Sequence, residues 1–190
     1  MKKSILKSVA VLAVVLGTSA FVDVETKEVK VTESEVGWKG YKVTGSHYGT
    51  VALKSGSLEF KGDVLTGGEF VVDMTTIQST DLSGEYKNQL DGHLKSEDFF
   101  GVEKFPTAAL KITHITSSGK NSYAAKGDLT IKEKTHPIEF EISVYGSKAT
   151  ANLKIDRSKY DVRYGSGSFF DNLGDKTIYD EFDLNVDLAF

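Results

Sequence analysis

The sequence predicts an all-β fold: a single antiparallel domain of roughly eight to nine strands, at the spacing typical of sandwiches and barrels. Three observations predict it. Apolar and polar residues alternate with period two along most of the chain, the pattern of strands with one buried and one wetted face. Turn residues separate the alternating runs at short intervals. Only one stretch has helical spacing, whereas parallel strands need repeated crossovers of a dozen or more residues.

The chain opens with a segment that is set apart from the fold. Met1-Lys2-Lys3 is basic, Ile5 to Leu16 is apolar apart from Lys7 and Ser8, and Gly17-Thr18-Ser19-Ala20 is small. That order is expected of a secretory signal over residues 1–20, leaving a domain over 21–190 and a periplasmic or secreted location. The apolar run falls short of the ~18 residues of a membrane span. The sequence has no Cys, so neither a lipid-anchoring cysteine nor a disulfide is available. The net charge of −4 becomes −7 once Lys2, Lys3 and Lys7 are removed, and no Lys/Arg cluster occurs. A nucleic-acid partner is therefore disfavoured.

The N-terminal half alternates through Val51-Leu53, Leu58-Phe60 and Phe70-Val72-Met74. Lys61-Gly62-Asp63 and Thr66-Gly67-Gly68 read as turns. Between Asp81 and Phe100, Leu82, Tyr86 and Leu90 recur at i, i+4, which predicts a helical insertion of about twenty residues over about 81–100. Ser96-Glu97-Asp98 in it has the form of an N-cap with acids in a first turn. Alternation then resumes through Ala108-Leu110-Ile112 and through Tyr123, Ala125, Gly127, Leu129 and Ile131, with Ser117–Asn121 as the turn between them. Ile138, Phe140, Ile142 and Val144 lead through Tyr145-Gly146-Ser147 to Ala149, Ala151, Leu153 and Ile155. Tyr160–Gly174 is irregular. The last run, Phe182 to Phe190, is expected either to close the barrel or to pair across a homodimer.

Several fragments carry a family resemblance. They are Gly67–Ile77 (GGEFVVDMTTI), His93–Phe100 (HLKSEDFF), Lys104–Ala108 (KFPTA), Gly127–Lys132 (GDLTIK) and Ile155–Tyr160 (IDRSKY), in that order. In this order they resemble the YceI-like family of polyisoprenoid-binding proteins. Val36–Gly40 and Lys42–Gly49 look like a subgroup variant of its first-strand pattern. The resemblance implies an eight-stranded lipocalin-like barrel, export, and a long-chain isoprenoid or similar amphiphilic lipid in the lumen. It implies no catalytic residues and no cofactor.

The candidate binding residues follow from inward alternation and from aromatics outside regular strands. Trp38, Phe70, Val72, Leu90, Leu94, Leu110, Ile112, Leu129, Phe140, Phe182 and Leu184 are assigned to the lumen or its mouth. Phe99, Phe100, Phe105, Phe169 and Phe170 either line its mouth or plug the barrel ends. Head-group candidates are Lys42, His47, Arg157 and Arg163, of which Arg157 alternatively serves a structural ion pair with Asp156 and His47 a turn. An apolar lumen favours long chains, because each buried methylene contributes about 0.8 kcal/mol against an association cost of about 4–15 kcal/mol. A barrel filled by its own side chains, serving a structural or interaction role, would alternate identically.

Enzyme readings are weak. His47, His93, His114 and His136 lack metal-ligand spacing. Gly165-Ser166-Gly167-Ser168-Phe169 lacks the strand–turn–helix setting of a serine nucleophile.

Overall fold

The structure, a computed structural model, describes residues 23–190, so the expected signal segment 1–20 lies outside the described residues. Nine strands run in chain order: β1 (Val24–Glu28), β2 (Glu35–Lys42), β3 (Gly45–Lys61), β4 (Val64–Ser79), β5 (Thr107–Gly119), β6 (Ser122–Ile131), β7 (Lys134–Tyr145), β8 (Lys148–Asp156) and β9 (Ile178–Ala189). Among the described residues one α-helix, α1 (Gly84–Lys95), lies between β4 and β5.

All pairings are antiparallel, and β2 to β9 close a ring of eight in the order β3-β2-β9-β8-β7-β6-β5-β4, with β4 returning to β3. β1 is a ninth strand along the second half of β3, where Val24 faces Lys61. Closure depends on β9, which pairs with β2 on one side and β8 on the other. Both edges of the last strand are thus used within the chain, and it closes the barrel.

Inward alternation does what the sequence pattern predicts. In β8, Ala149, Ala151, Leu153 and Ile155 are buried while Lys148, Thr150, Asn152 and Lys154 face solvent. β3 changes phase at Ser55, where its register with β4 shifts, so Val51 and Leu53 point inward before it and Leu58 and Phe60 after it. An extra residue moves the apolar set onto the same face of the bent strand.

Because each strand reverses the last, the connections alternate between two ends. One end carries the tight turns Gly62-Asp63, Lys120-Asn121 and Gly146-Ser147. It is sealed by buried Leu58 and Leu65 and by the Phe60–Phe190 ring pair at 5.5 Å, with Lys27 Nζ 4.8 Å above Phe60. The other end carries both long excursions, the α1 segment and the 157–177 loop. This end positions the site.

Three local expectations are corrected. Thr66-Gly67-Gly68 is not a turn but lies inside β4, where Gly67 and Gly68 face Glu59 and Leu58. A Cβ on Gly68 would sit 2.7 Å from Ser57 O, so the glycine permits close strand approach. Ser96 does not start a helix. Its N–H donates to Gly92 O and His93 O at 3.0 and 3.1 Å, which ends α1. Finally, Tyr86 is 75% exposed, and α1 buries Leu94 with Leu90 beside it instead of the stripe Leu82-Tyr86-Leu90.

Candidate functional site

The inward faces enclose a cavity whose space open to atom centres is about 170 Å³. Apart from Arg157 and the tyrosines Tyr41 and Tyr179, its walls are apolar. Trp38, Phe70, Val72, Leu94, Phe99, Phe100, Leu110, Leu129, Phe140, Phe182 and Leu184 all line it. Trp38 also donates from Nε1 to Thr50 O at 3.3 Å, which fixes the indole in the wall.

Other expected residues lie elsewhere. Leu90 and Ile112 belong to the surrounding core but do not reach the cavity. Phe105 packs over the Gly101 turn, with Lys104 Nζ 5.4 Å from its ring. Phe169 is 40% and Phe170 50% exposed on the 157–177 loop, and the Arg163 guanidinium lies 5.0 Å from the Phe169 ring. His47 is remote from the lumen: Nδ1 is 2.8 Å from Asp81 Oδ2, which ties the start of β3 to the segment before α1.

Gly40 is a lining residue that the sequence reading did not single out. It continues the inward set Val36-Trp38, and a Cβ built on it meets nothing within 4 Å. The β2–β9 register also breaks just beyond it: Gly40 pairs with Phe182, but Lys42 pairs with Ile178. Three residues of β9 therefore stand opposite Tyr41 alone, a bulge beside which Gly40, Tyr41, Ile178 and Tyr179 line the cavity.

Arg157 holds the β9 side of that bulge. It is 2% exposed and follows β8 in a 3₁₀ turn capped by Asp156, which accepts from Ser158 N at 3.0 Å. Its Nε, Nη1 and Nη2 donate to Tyr179 O, Val162 O and Ile178 O at 3.1, 2.8 and 2.9 Å. Its ion pair is with Asp180, Nη2 to Oδ1 at 3.4 Å, and the expected Asp156 partnership is replaced by the cap. Burial pushes the guanidinium pKa down while Asp180 and Asp156 push it up. The Phe99 ring lies 5.4 Å from the same guanidinium. Most of the guanidinium fork is therefore spent on the fold.

A second, outer groove adjoins the lumen at this end and shares Ile178 with it. Lys42, Lys132, Arg163 and Lys176 line it, with Glu97, Asp98, Asp161 and Asp175 and the rings of Tyr164 and Phe170. Two head-group candidates, Lys42 and Arg163, are thus brought together here, while Arg157 stands on the lumen side. Arg163 Nε donates to Asp161, and Lys132 Nζ donates to Phe99 O and Asp161 O at 3.0 and 3.1 Å. Burial pushes the Lys132 amine pKa down. Beside the groove, the His93 ring packs edge-on against Phe99 and Tyr164 at 5.5 and 4.3 Å, and burial pushes its pKa down.

The YceI-like domain model matches residues 27–190, the whole described barrel after the first residues of β1. The chain belongs to the YceI-like family. Among curated relatives, a UPF0312 protein of Vibrio cholerae serotype O1 is 26% identical over 104 residues, 54% of this chain and 55% of that protein. A UPF0312 protein of Staphylococcus aureus is 36% identical over 118 residues, 54% of this chain and 66% of that protein. The match to the Vibrio cholerae relative thus spans about half of its length.

Solved structures share the YceI-like fold. BcnA of Burkholderia cenocepacia superposes with a TM-score of 0.67 at 19% identity, covering 85% of this chain and 99% of that one. A polyisoprenoid binding domain from Saccharophagus degradans gives 0.58 at 11%, covering 85% and 95%. The Campylobacter jejuni YCEI protein gives 0.55 at 15%, covering 100% and 98%.

Proposed function

We propose that this chain is an exported lipid-binding protein that holds the hydrocarbon part of a long-chain isoprenoid or similar amphiphile in its lumen, as carrier or store, without catalysing a reaction. The observation that carries this reading is the apolar cavity of about 170 Å³ inside a closed barrel. A water-sized group needs about 10–15 Å³ of such space, so the cavity takes about 11–17 methylene-sized groups. Burying them contributes about 9–14 kcal/mol, enough to offset much of the 4–15 kcal/mol association cost. A ligand with about five carbons gains only ~4 kcal/mol. Family membership and the polyisoprenoid-binding neighbour support the same class of ligand, and the open space at Gly40 favours a lined lumen over a filled one. The leader-like residues 1–20 support export.

The sequence has one Trp, Trp38, and it stands in the cavity wall. Titrating lipid-free protein with farnesol should give a saturable change in Trp38 emission. Emission that stays flat, with the protein folded throughout, would contradict an accessible lumen.

A further inference from the structure

We infer that the outer groove, which lies beside the β2–β9 bulge, is a head-group site that selects an uncharged or zwitterionic head over a diphosphate. The inference rests on the proposed lumenal binding of a lipid tail and adds the chemistry of the other end. Gly40 and Ile178, beside the bulge, line the lumen that the tail would occupy, and Ile178 is also a wall of the groove. Among the described residues, that groove of about 800 Å³ is a polar space adjoining the tail's path.

Its charges balance, with four cationic side chains facing four carboxylates. A diphosphate would need an excess of donors, best supplied by an arginine fork. Neither nearby arginine offers one. Arg157 spends its fork on three main-chain carbonyls and Asp180, and Arg163 is engaged by Asp161. Lys132 is likewise turned to two carbonyls. Arg163 and Asp161 offset each other, and Lys42, Lys132 and Lys176 balance Glu97, Asp98 and Asp175, so a polyanion entering the groove meets no net positive charge. A hydroxyl, carbonyl or amide head finds both donors and acceptors there and needs no net positive charge to be held.

Farnesol and farnesyl diphosphate share one tail and differ only in the head. Their dissociation constants are read from Trp38 emission in the wild-type protein and in Glu97→Gln/Asp175→Asn, two exposed substitutions away from the barrel core. The expected result is at least tenfold tighter binding of farnesol by the wild type, with the ratio falling at least tenfold in the double variant. Equal or tighter binding of the diphosphate by the wild type would overturn the inference, as would a ratio that the double variant leaves unchanged. Failure of both ligands to perturb Trp38 would instead remove the lumenal reading on which the inference depends.

Discussion

Filling the lumen from a residue that has no side chain separates binding from folding. Gly40 points inward beside Trp38, and a Cβ there meets no atom within 4 Å. Gly40→Leu therefore projects four carbons into open space. Those carbons exclude about four of the 11–17 methylene-sized groups that the cavity accepts. At about 0.8 kcal/mol each, the ligand loses ~3 kcal/mol, or roughly 200-fold in affinity. Stability should move the other way, because glycine within a strand costs about 0.5–1 kcal/mol relative to a residue with a side chain. The assay pairs a Trp38 titration with farnesol against thermal unfolding of the same preparation. The expected outcome is an unchanged or higher Tm together with binding weakened about 200-fold. A folded Gly40→Leu protein that binds as tightly as wild type would show that the tail does not pass Gly40.

Other perturbations probe what holds the site. Arg157→Met leaves three carbonyls and the Asp180 carboxylate without their donor, so urea unfolding should show a loss of about 3–5 kcal/mol; a loss below 1 kcal/mol would mean that the guanidinium does not clamp the loop. Tyr160 is 1% exposed, its hydroxyl has no partner among the described residues, and burial, aided by Asp156, pushes its pKa up to about 12. Tyr160→Phe should therefore raise stability by about 1 kcal/mol, and a clear destabilisation would show that the hydroxyl is satisfied. Asp91 accepts from Ser79 N, Ser79 Oγ and Lys87 Nζ at 2.6, 2.9 and 2.8 Å, pinning α1 to β4. Burial raises its pKa, but these bonds outweigh it and hold the carboxyl below 3.8. Its contribution is thus complete above pH 3.8 and lost as pH falls through the lower folded value. Asp91→Asn should cost about 1.5–3 kcal/mol at pH 7 and flatten this acid limb in denaturant titrations; an unaltered limb would assign the acid sensitivity to other groups.

The antiparallel strands were legible because alternation is a direct consequence of strand geometry, whereas their closure into a barrel was implied by the family resemblance. The inward sets of β6, β8 and β9 could be read residue by residue, and they supplied Leu129, Phe182 and Leu184 of the cavity wall. Turn chemistry was legible where glycine or asparagine marked it, as at Gly62 and Asn121. It was hidden between β6 and β7, where Lys132 and Glu133 adopt φ of 50° and 60° without a glycine, held in part by the bonds of Lys132 Nζ. Gly67 and Gly68 misled for the opposite reason, since glycine serves close strand approach as well as turns. The site was legible only in its apolar part. Lys42 and Arg163 lie far apart in sequence, and their meeting depends on both long connections falling at one end of the barrel. Gly40 carried no sequence signal because its contribution is an absence of atoms.

The account's central claim is an occupied lumen, and the most direct measurement is mass spectrometry of lipid extracted from the folded protein purified from its native source. The account predicts a near-stoichiometric amphiphile with an apolar tail of about eleven or more carbons and a head without a diphosphate. Protein that is folded, monodisperse and free of any such lipid, and that takes up none when supplied, would contradict it.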